Sequence, residues 1–177
     1  MEIRALRESD DRSSFHSGDA DLDRFFHDFA GQNQFKHYVG VSYVAIDEHH
    51  IFGFATVAPG HIEIEELPVT ARRKLPRYPL PVLRLARLAV DASAQGQGVG
   101  AQLLRFVFTL AVRMANDFGC VCVVVDAQPQ AIDFYEKYGF IAVEAVEGLP
   151  DRKSQAIPMF LPMRAIAAAT APSPNTR

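Results

Sequence analysis

The sequence predicts an α/β fold in which helices flank a mixed central sheet. Three observations predict it. Residues 83–108 read as a strand, a glycine-rich turn and the opening of a helix, with Leu103, Val107, Leu110 and Met114 recurring at helical spacing. Residues 120–125 are continuously apolar, as expected of a strand buried on both faces. Residues 40–47 and 51–58 read as two strands joined at a turn over 47–50, a hairpin.

Taken from the N-terminus, residues 2–7 read as a first strand. Asp19 or Asp21 can then cap a helix whose residues Leu22, Phe25, Phe26 and Phe29 form an apolar stripe at i, i+3, i+4 and i+7. After the hairpin, residues 59–82 are loop-like and carry five prolines, with room for a short helix near 69–74. Gly119 stops the long helix, and the apolar strand comes next. A helix over about 130–138 ends at Gly139, and strands are expected over 140–146 and 157–163. The order is β-α-β-β-β-α-β-α-β-β. The length of 177 residues suits one domain, assigned to 1–164, and the Ala-, Pro- and Ser-rich residues 165–177 read as a frayed or disordered tail.

The net charge of −3 gives no global preference for nucleic acid. Basic residues are nevertheless segregated. Arg72, Arg73, Lys74, Arg77, Arg84 and Arg87 follow one another without an acid until Asp91, six of the 18 Lys and Arg residues. Such a run is either a solvated face or a phosphate-contacting patch. No apolar run is long enough to cross a bilayer, and the first residues lack a signal-peptide core, so a cytoplasmic location is expected. Cys120 and Cys122 lie on one face of a strand, too parallel for a normal disulfide, and no third Cys or nearby His makes them metal ligands. No metal is expected.

The chemistry concentrates in Gln95-Gly96-Gln97-Gly98-Val99-Gly100. Glycines at a helix N-terminus bring several N–H groups and the positive end of the helix dipole to one place, an anion site suited to phosphate. The dinucleotide fingerprint requires G-x-G-x-x-G, and the glycines here fall as G-x-G-x-G. The triphosphate loop requires Gly-Lys-Ser/Thr, and no lysine lies between Lys74 and Lys137.

The remaining Q-x-x-G-x-G pattern resembles the coenzyme A pyrophosphate loop of the GNAT superfamily of acyl-CoA N-acyltransferases. The preceding Leu88-Ala89-Val90-Asp91 resembles that family's central strand. The later Ala131-Ile132-Asp133-Phe134-Tyr135-Glu136-Lys137-Tyr138-Gly139-Phe140 resembles its second signature, A-x-x-F-Y-x-x-x-G-F. The resemblance covers nearly the whole chain and implies a GNAT-like mixed, mostly antiparallel sheet. It implies acetyl-CoA as cosubstrate, held by Gln95, Gly96, Gln97, Gly98, Val99, Gly100 and Phe134, with backbone groups of Leu88, Ala89 and Val90 along the pantetheine arm. Within the superfamily, Phe15-His16-Ser17-Gly18 with Leu22-Asp23, and Pro79-Leu80-Pro81 leading into Leu85–Asp91, resemble the GNAT toxins of bacterial toxin–antitoxin pairs. That branch acetylates the amino group of aminoacyl-tRNA, is commonly dimeric and is neutralised by a ribbon-helix-helix antitoxin. The chain departs from it with Gln97 where an Arg is usual, and from many GNAT enzymes with Gln128 where Asn or Asp is usual.

Acyl transfer from a thioester to an amine needs a neutral amine, a polarised carbonyl and a proton for the departing thiolate. A tyrosine of pKa about 10 can protonate a thiolate whose acid has a pKa of about 8.5. Tyr135 occupies the family's tyrosine position and is the expected general acid. Aminoacyl esters have amines of low pKa, near ~8, so a dedicated base is not required; His61, Glu63 and Glu65 are the nearest helpers in sequence. The substrate side is assigned to Arg72, Arg73, Lys74, Arg77 and Arg87. Three functions stay open: a tRNA-directed acetyltransferase toxin, an acetyltransferase of a small amine or protein amine, and a non-catalytic acyl-CoA-binding fold.

Overall fold

The computed structural model describes residues 1–143 and 156–170. Its strands are β1 Glu2–Ala5, β2 Val41–Asp47, β3 His50–Ile62, β4 Leu80–Val90, β5 Cys122–Ala127, β6 Ile141–Ala142 and β7 Ile157–Pro162. They form one sheet in the order β1-β2-β3-β4-β5-β7-β6. The β1–β2, β2–β3, β5–β7 and β6–β7 ladders are antiparallel. The helices are α1 Ala20–Arg24, α2 Ala30–Phe35, α3 Val69–Arg72, α4 Val99–Asp117, α5 Ile132–Lys137 and α6 Met163–Thr170. The mixed α/β architecture is the one expected.

Contacts divide the chain into two compact units where the sequence suggested one domain. The first is Met1–Pro59 with Leu85–Val107, the second Gly60–Arg84 with Phe108–Arg177. The core of the first unit is aromatic. Phe26 and Phe54 stack with centroids 4.2 Å apart, and Phe15 meets both edge-on at 4.9 and 5.4 Å. Asp19 is the N-cap of α1 and accepts from the Asp21 and Leu22 N–H groups, as its position suggested. The apolar stripe then breaks. Residues Phe25–Phe29 form a π-turn between α1 and α2, and the Ala30 N–H reaches back to the Phe25 carbonyl. One extra residue in the turn rotates the next part of the helix. Phe25, Phe26 and Ala30 are therefore buried, while Phe29 is 40% exposed beneath the Arg24 guanidinium. The expectation of a regular stripe through Phe29 is corrected by that insertion.

The second unit packs Ile62, Leu67, Leu80, Val82, Val124 and Phe160 into its own core. Cys120 and Cys122 are both buried and free. Cys122 opens β5, while Cys120 precedes the strand and its thiol bonds the Cys122 carbonyl at 3.3 Å. The tail reading also needs correction. Residues 163–170 form α6, with Ile166 buried and the Thr170 hydroxyl bonded to the Ile166 carbonyl at 2.9 Å. Alanine has the highest helix propensity of any residue, and Ala165, Ala167, Ala168 and Ala169 need only one buried anchor to set the face. The rest of the expected tail, 171–177, and residues 144–146 of the strand expected over 140–146 lie outside the described residues, while Ile141–Ala142 of that span form β6.

Candidate active site

The glycine turn belongs to the first unit. Gly96 and Gly98 have φ of +75° and +84°, the left-handed region that side chains resist, and nothing lies within 4 Å of where a Cβ would stand on either. Both backbones therefore face open space at the start of α4. The first helical bond runs from the Gln102 N–H to the Gly98 carbonyl at 3.1 Å, so the N–H groups of Val99, Gly100 and Ala101 precede it without an intrahelical carbonyl. The first turn carries no acidic side chain. The site offers converging donors and the positive end of a 19-residue helix, with no acid in that turn to compete for them.

The turn is braced from behind. The buried Asp91 carboxylate accepts from the Ser93 N–H at 3.0 Å and its hydroxyl at 2.6 Å, and from the His16 N–H at 2.9 Å. Burial alone would raise the pKa of Asp91, but the Ser93 and His16 bonds outweigh it and hold the carboxyl below its usual range. The Gln95 amide donates to the Ser17 carbonyl at 2.8 Å and the Val90 carbonyl at 3.1 Å. Gln97, at the position where an Arg was expected by resemblance, donates to the Ser93 carbonyl at 2.9 Å. It is a strut of the turn, not a charge aimed at phosphate.

Leu88, Ala89 and Val90 close β4 just before this turn. Ala89 is buried, Val90 is half-buried on one side of it and Leu88 on the other. The Ala89 carbonyl passes close to β3. A Cβ on Gly53 would stand 2.9 Å from that carbonyl and 3.1 Å from Val99 Cγ1 at the start of α4. Gly53 is thus the residue that lets β3 run beneath both the strand end and the helix start, a requirement of backbone approach that its sequence neighbours do not disclose.

Tyr135 belongs to the second unit. It is 5% exposed in α5, edge-on to Phe134 at 5.2 Å and to Phe140 at 5.3 Å. Burial pushes its phenol up to about 12, so it keeps its proton throughout the neutral range. Phe134 is half-buried and also faces Tyr138 at 5.2 Å. Gln128 caps the short turn that leads into α5 through its backbone, without a side-chain bond.

The structure sorts the basic run into three kinds. The Arg72 guanidinium bonds the carbonyls of Leu67 and Glu65, and Arg84 pairs with Asp126 at 3.0 Å. Arg73, Lys74 and Arg77 line the surface, and none of them has an ion pair among the described residues. Arg87 lies in the first unit with its guanidinium 3.8 Å over the Phe25 ring. Burial lowers the pKa of Arg87 from its usual value, and no carboxylate pairs with it among the described residues. Among the three helpers named from sequence, Glu63 is committed to a capping box with Glu66, and His61 and Glu65 are exposed. No group of three or more His, Cys, Asp or Glu that could hold a metal occurs among the described residues.

Asp91, Ser17 and Asp23 were not singled out as site residues by motif. Asp91-Ala92-Ser93 is an Asx-turn pattern that points to Asp91. The Ser17 carbonyl bonds Gln95 from 78 residues away and Asp23 bonds Ser17; both lie in the segment quoted for its resemblance, but no local signal ties that segment to the turn.

This combination of sheet, glycine turn and helix defines an acyl-CoA-dependent N-acyltransferase, and the chain belongs to the GNAT acetyltransferase family: its residues 39–142 match the Acetyltransferase (GNAT) domain. The family uses acetyl-CoA as acetyl donor. Among characterised relatives, the chain is 34% identical over 140 residues to a tRNA-acetylating toxin of Mycobacterium tuberculosis, covering 77% of this chain and 82% of that protein. AtaT complexed with acetyl-methionyl-tRNAfMet has a TM-score of 0.81 at 24% identity, over 96% of this chain and 99% of that one, a likeness of fold. AtaTR bound with acetyl-CoA has a TM-score of 0.75 at 25% identity, over 96% and 98%. No helix among the described residues is long and apolar enough to cross a membrane.

Proposed function

We propose that this protein is a cytoplasmic toxin that moves the acetyl group of acetyl-CoA onto the amino group of aminoacyl-tRNA and so blocks translation. The observation that carries the reading is the open left-handed turn at Gly96 and Gly98, with donors free at the start of α4. It is supported by the family membership and by the similarity to a tRNA-acetylating toxin.

In this reading Gln95 to Gly100 hold the pyrophosphate, with Gln95 and Gln97 shaping the turn. Leu88, Ala89 and Val90 present backbone groups to the pantetheine arm and the thioester oxygen, and Phe134 packs against the cofactor. The neutral amine attacks the carbonyl carbon, a C–N bond forms, and the C–S bond breaks. The departing thiolate takes the Tyr135 proton. The new amide nitrogen sheds a proton to solvent, and the phenolate recovers one from there. A phenol raised by burial is a weaker acid, but its donor form is fully populated at neutral pH. Arg73, Lys74, Arg77 and Arg87 are the cations left for phosphates of the acceptor, whereas Arg72 is occupied by carbonyls. A homodimer neutralised by a ribbon-helix-helix antitoxin completes the reading.

The test is transfer of labelled acetyl from acetyl-CoA to a pool of aminoacyl-tRNA, run beside small amines and peptides. Label on the amino group of aminoacyl-tRNA is the expected result. Label on small amines or peptides alone rejects the toxin reading in favour of a general acetyltransferase. Binding of acetyl-CoA with no transfer to any acceptor marks a non-catalytic fold.

A further inference from the structure

Asp23 carries a buried carboxylate that the acetyl transfer does not use. It is 7% exposed, and α1 does not need it as a cap, because Asp19 already fills that position. Its Oδ1 accepts from the Ser17 N–H at 2.7 Å and from the Ser17 hydroxyl at 2.5 Å, and its Oδ2 lies 2.8 Å from His16 Nδ1. The three bonds fix the His16–Ser17 backbone in one orientation. Both carbonyls of that dipeptide then bond the cofactor turn. The His16 carbonyl accepts from the Ala92 N–H at 2.8 Å, and the Ser17 carbonyl accepts from the Gln95 amide at 2.8 Å. The His16 N–H goes to Asp91, which shapes the same turn. Gly18, with φ of +90°, then turns the chain away into α1.

We infer that Asp23 is a positioning residue for acetyl-CoA binding, acting through the Ser17 carbonyl and the Gln95 side chain to hold the glycine turn in its binding conformation. Three features support this over a purely local role. The bonds of the carboxylate go to His16 and Ser17 and not to the turn itself, so its effect must pass through that dipeptide. Burial alone would raise its pKa, yet the Ser17 and His16 bonds bring it below the usual carboxylate range, so the group is ionised and engaged. The Gln95 amide ties the turn simultaneously to Ser17 and to Val90, the last residue of β4. Phe15 anchors the segment by burying its ring against Phe26 and Phe54. The segment that resembles the toxin branch in sequence is thus the clamp behind the cofactor turn.

The inference rests on the reading that this turn binds acetyl-CoA, and a double-mutant cycle separates the two. Acetyl-CoA affinity is measured by calorimetry for wild type, Asp23→Ala, Gln95→Met and the double variant. Each single change is expected to weaken binding about five- to twentyfold, roughly the net contribution of one or two hydrogen bonds. The double variant is expected to bind within about twofold of the weaker single variant, because both changes cut one path. For Asp23→Ala the loss should appear in KM for acetyl-CoA, with kcat at saturating acetyl-CoA kept. Penalties that multiply, or an Asp23→Ala protein that binds like wild type, overturn the inference. If Asp23→Ala does not fold, Asp23→Asn, which keeps an oxygen for the Ser17 N–H but not the charge, replaces it in the same cycle with the same criterion. Gly98→Asp, which places a side chain and a negative charge in the turn, serves as control: unweakened binding there means that the turn is not the acetyl-CoA site, a different failure.

Discussion

The two units hold their functional groups by opposite means. In the first, the turn from Asp91 to Gly100 is fixed by directional bonds from Ser17, His16, Gln95 and Gln97. In the second, Tyr135 is held edge-on between the rings of Phe134 and Phe140, and Arg73, Lys74 and Arg77 line the surface. The difference matches the ligands proposed for each. A pyrophosphate is one small rigid target and suits a preorganised set of N–H groups. A large polyanion is met at many phosphates, and loosely placed cations serve it as well as fixed ones.

Three changes test that contrast, in descending order of expected effect. Tyr135→Phe removes one oxygen from an aromatic setting, so the fold should persist while turnover falls by about 10²–10⁴, read as single-turnover acetyl transfer. The same variant sharpens the electrostatics. The folded phenol titrates at about 12 against an ordinary 10.0, so the native state binds the proton more tightly than the unfolded chain. That contribution is intact below the ordinary value and is lost as pH rises through about 12. Between those limits, stability should fall less steeply with pH in Tyr135→Phe than in wild type, read by denaturant unfolding at a series of alkaline pH values. Wild-type turnover in Tyr135→Phe, with chemistry limiting in both, would remove the acid assignment.

Next in size is Arg73→Ala with Lys74→Ala and Arg77→Ala. Arg72 stays, since its bonds to Leu67 and Glu65 make it part of the fold. If these cations meet phosphates, tRNA affinity weakens and its dependence on salt flattens by up to about one unit of slope per contact, while acetyl-CoA binding is kept. An unchanged salt slope would make the run a solvated face. The smallest expected effect is that of Gly53→Ala. A Cβ there meets the Ala89 carbonyl and Val99, so the strand or the helix start must shift, at about 1–3 kcal/mol in denaturant unfolding. A weaker hold on acetyl-CoA should accompany it, because the shift falls beside the turn.

How much of the fold was legible in the sequence depends on interaction range. Asp19 as a cap, the hairpin of β2 and β3, and the helix after the glycine turn all depend on residues a few positions apart. The structure has all three, though β3 runs on to Ile62 where a loop was expected and α4 already starts at Val99 within the turn. The π-turn was hidden because Phe25 to Phe29 satisfy helical spacing; the extra residue accompanies the packing around Phe54, which the spacing does not report. Helix α6 was hidden because an alanine-rich segment reads as low complexity until Ile166 finds a core. In the site, the glycine spacing announced the turn, but not its supports. Gln95 bonds a carbonyl 78 residues upstream, a distance no motif spans. The basic run was legible as composition only, since nothing local distinguishes Arg72, tied to carbonyls, from its neighbour Arg73.

The two cysteines have a use apart from catalysis. They are the only thiols in the chain, both lie in the second unit, and both are buried and unpaired. Burial raises the pKa of Cys120 and pushes that of Cys122 up to about 12, so neither presents the thiolate that alkylating reagents require. The folded protein is therefore expected to react slowly with them, and an excursion that bares either thiol is expected to be recorded by a covalent tag. The chain carries its own stopwatch for the breathing of the unit that holds Tyr135, readable by mass without a dye, a label or an engineered site.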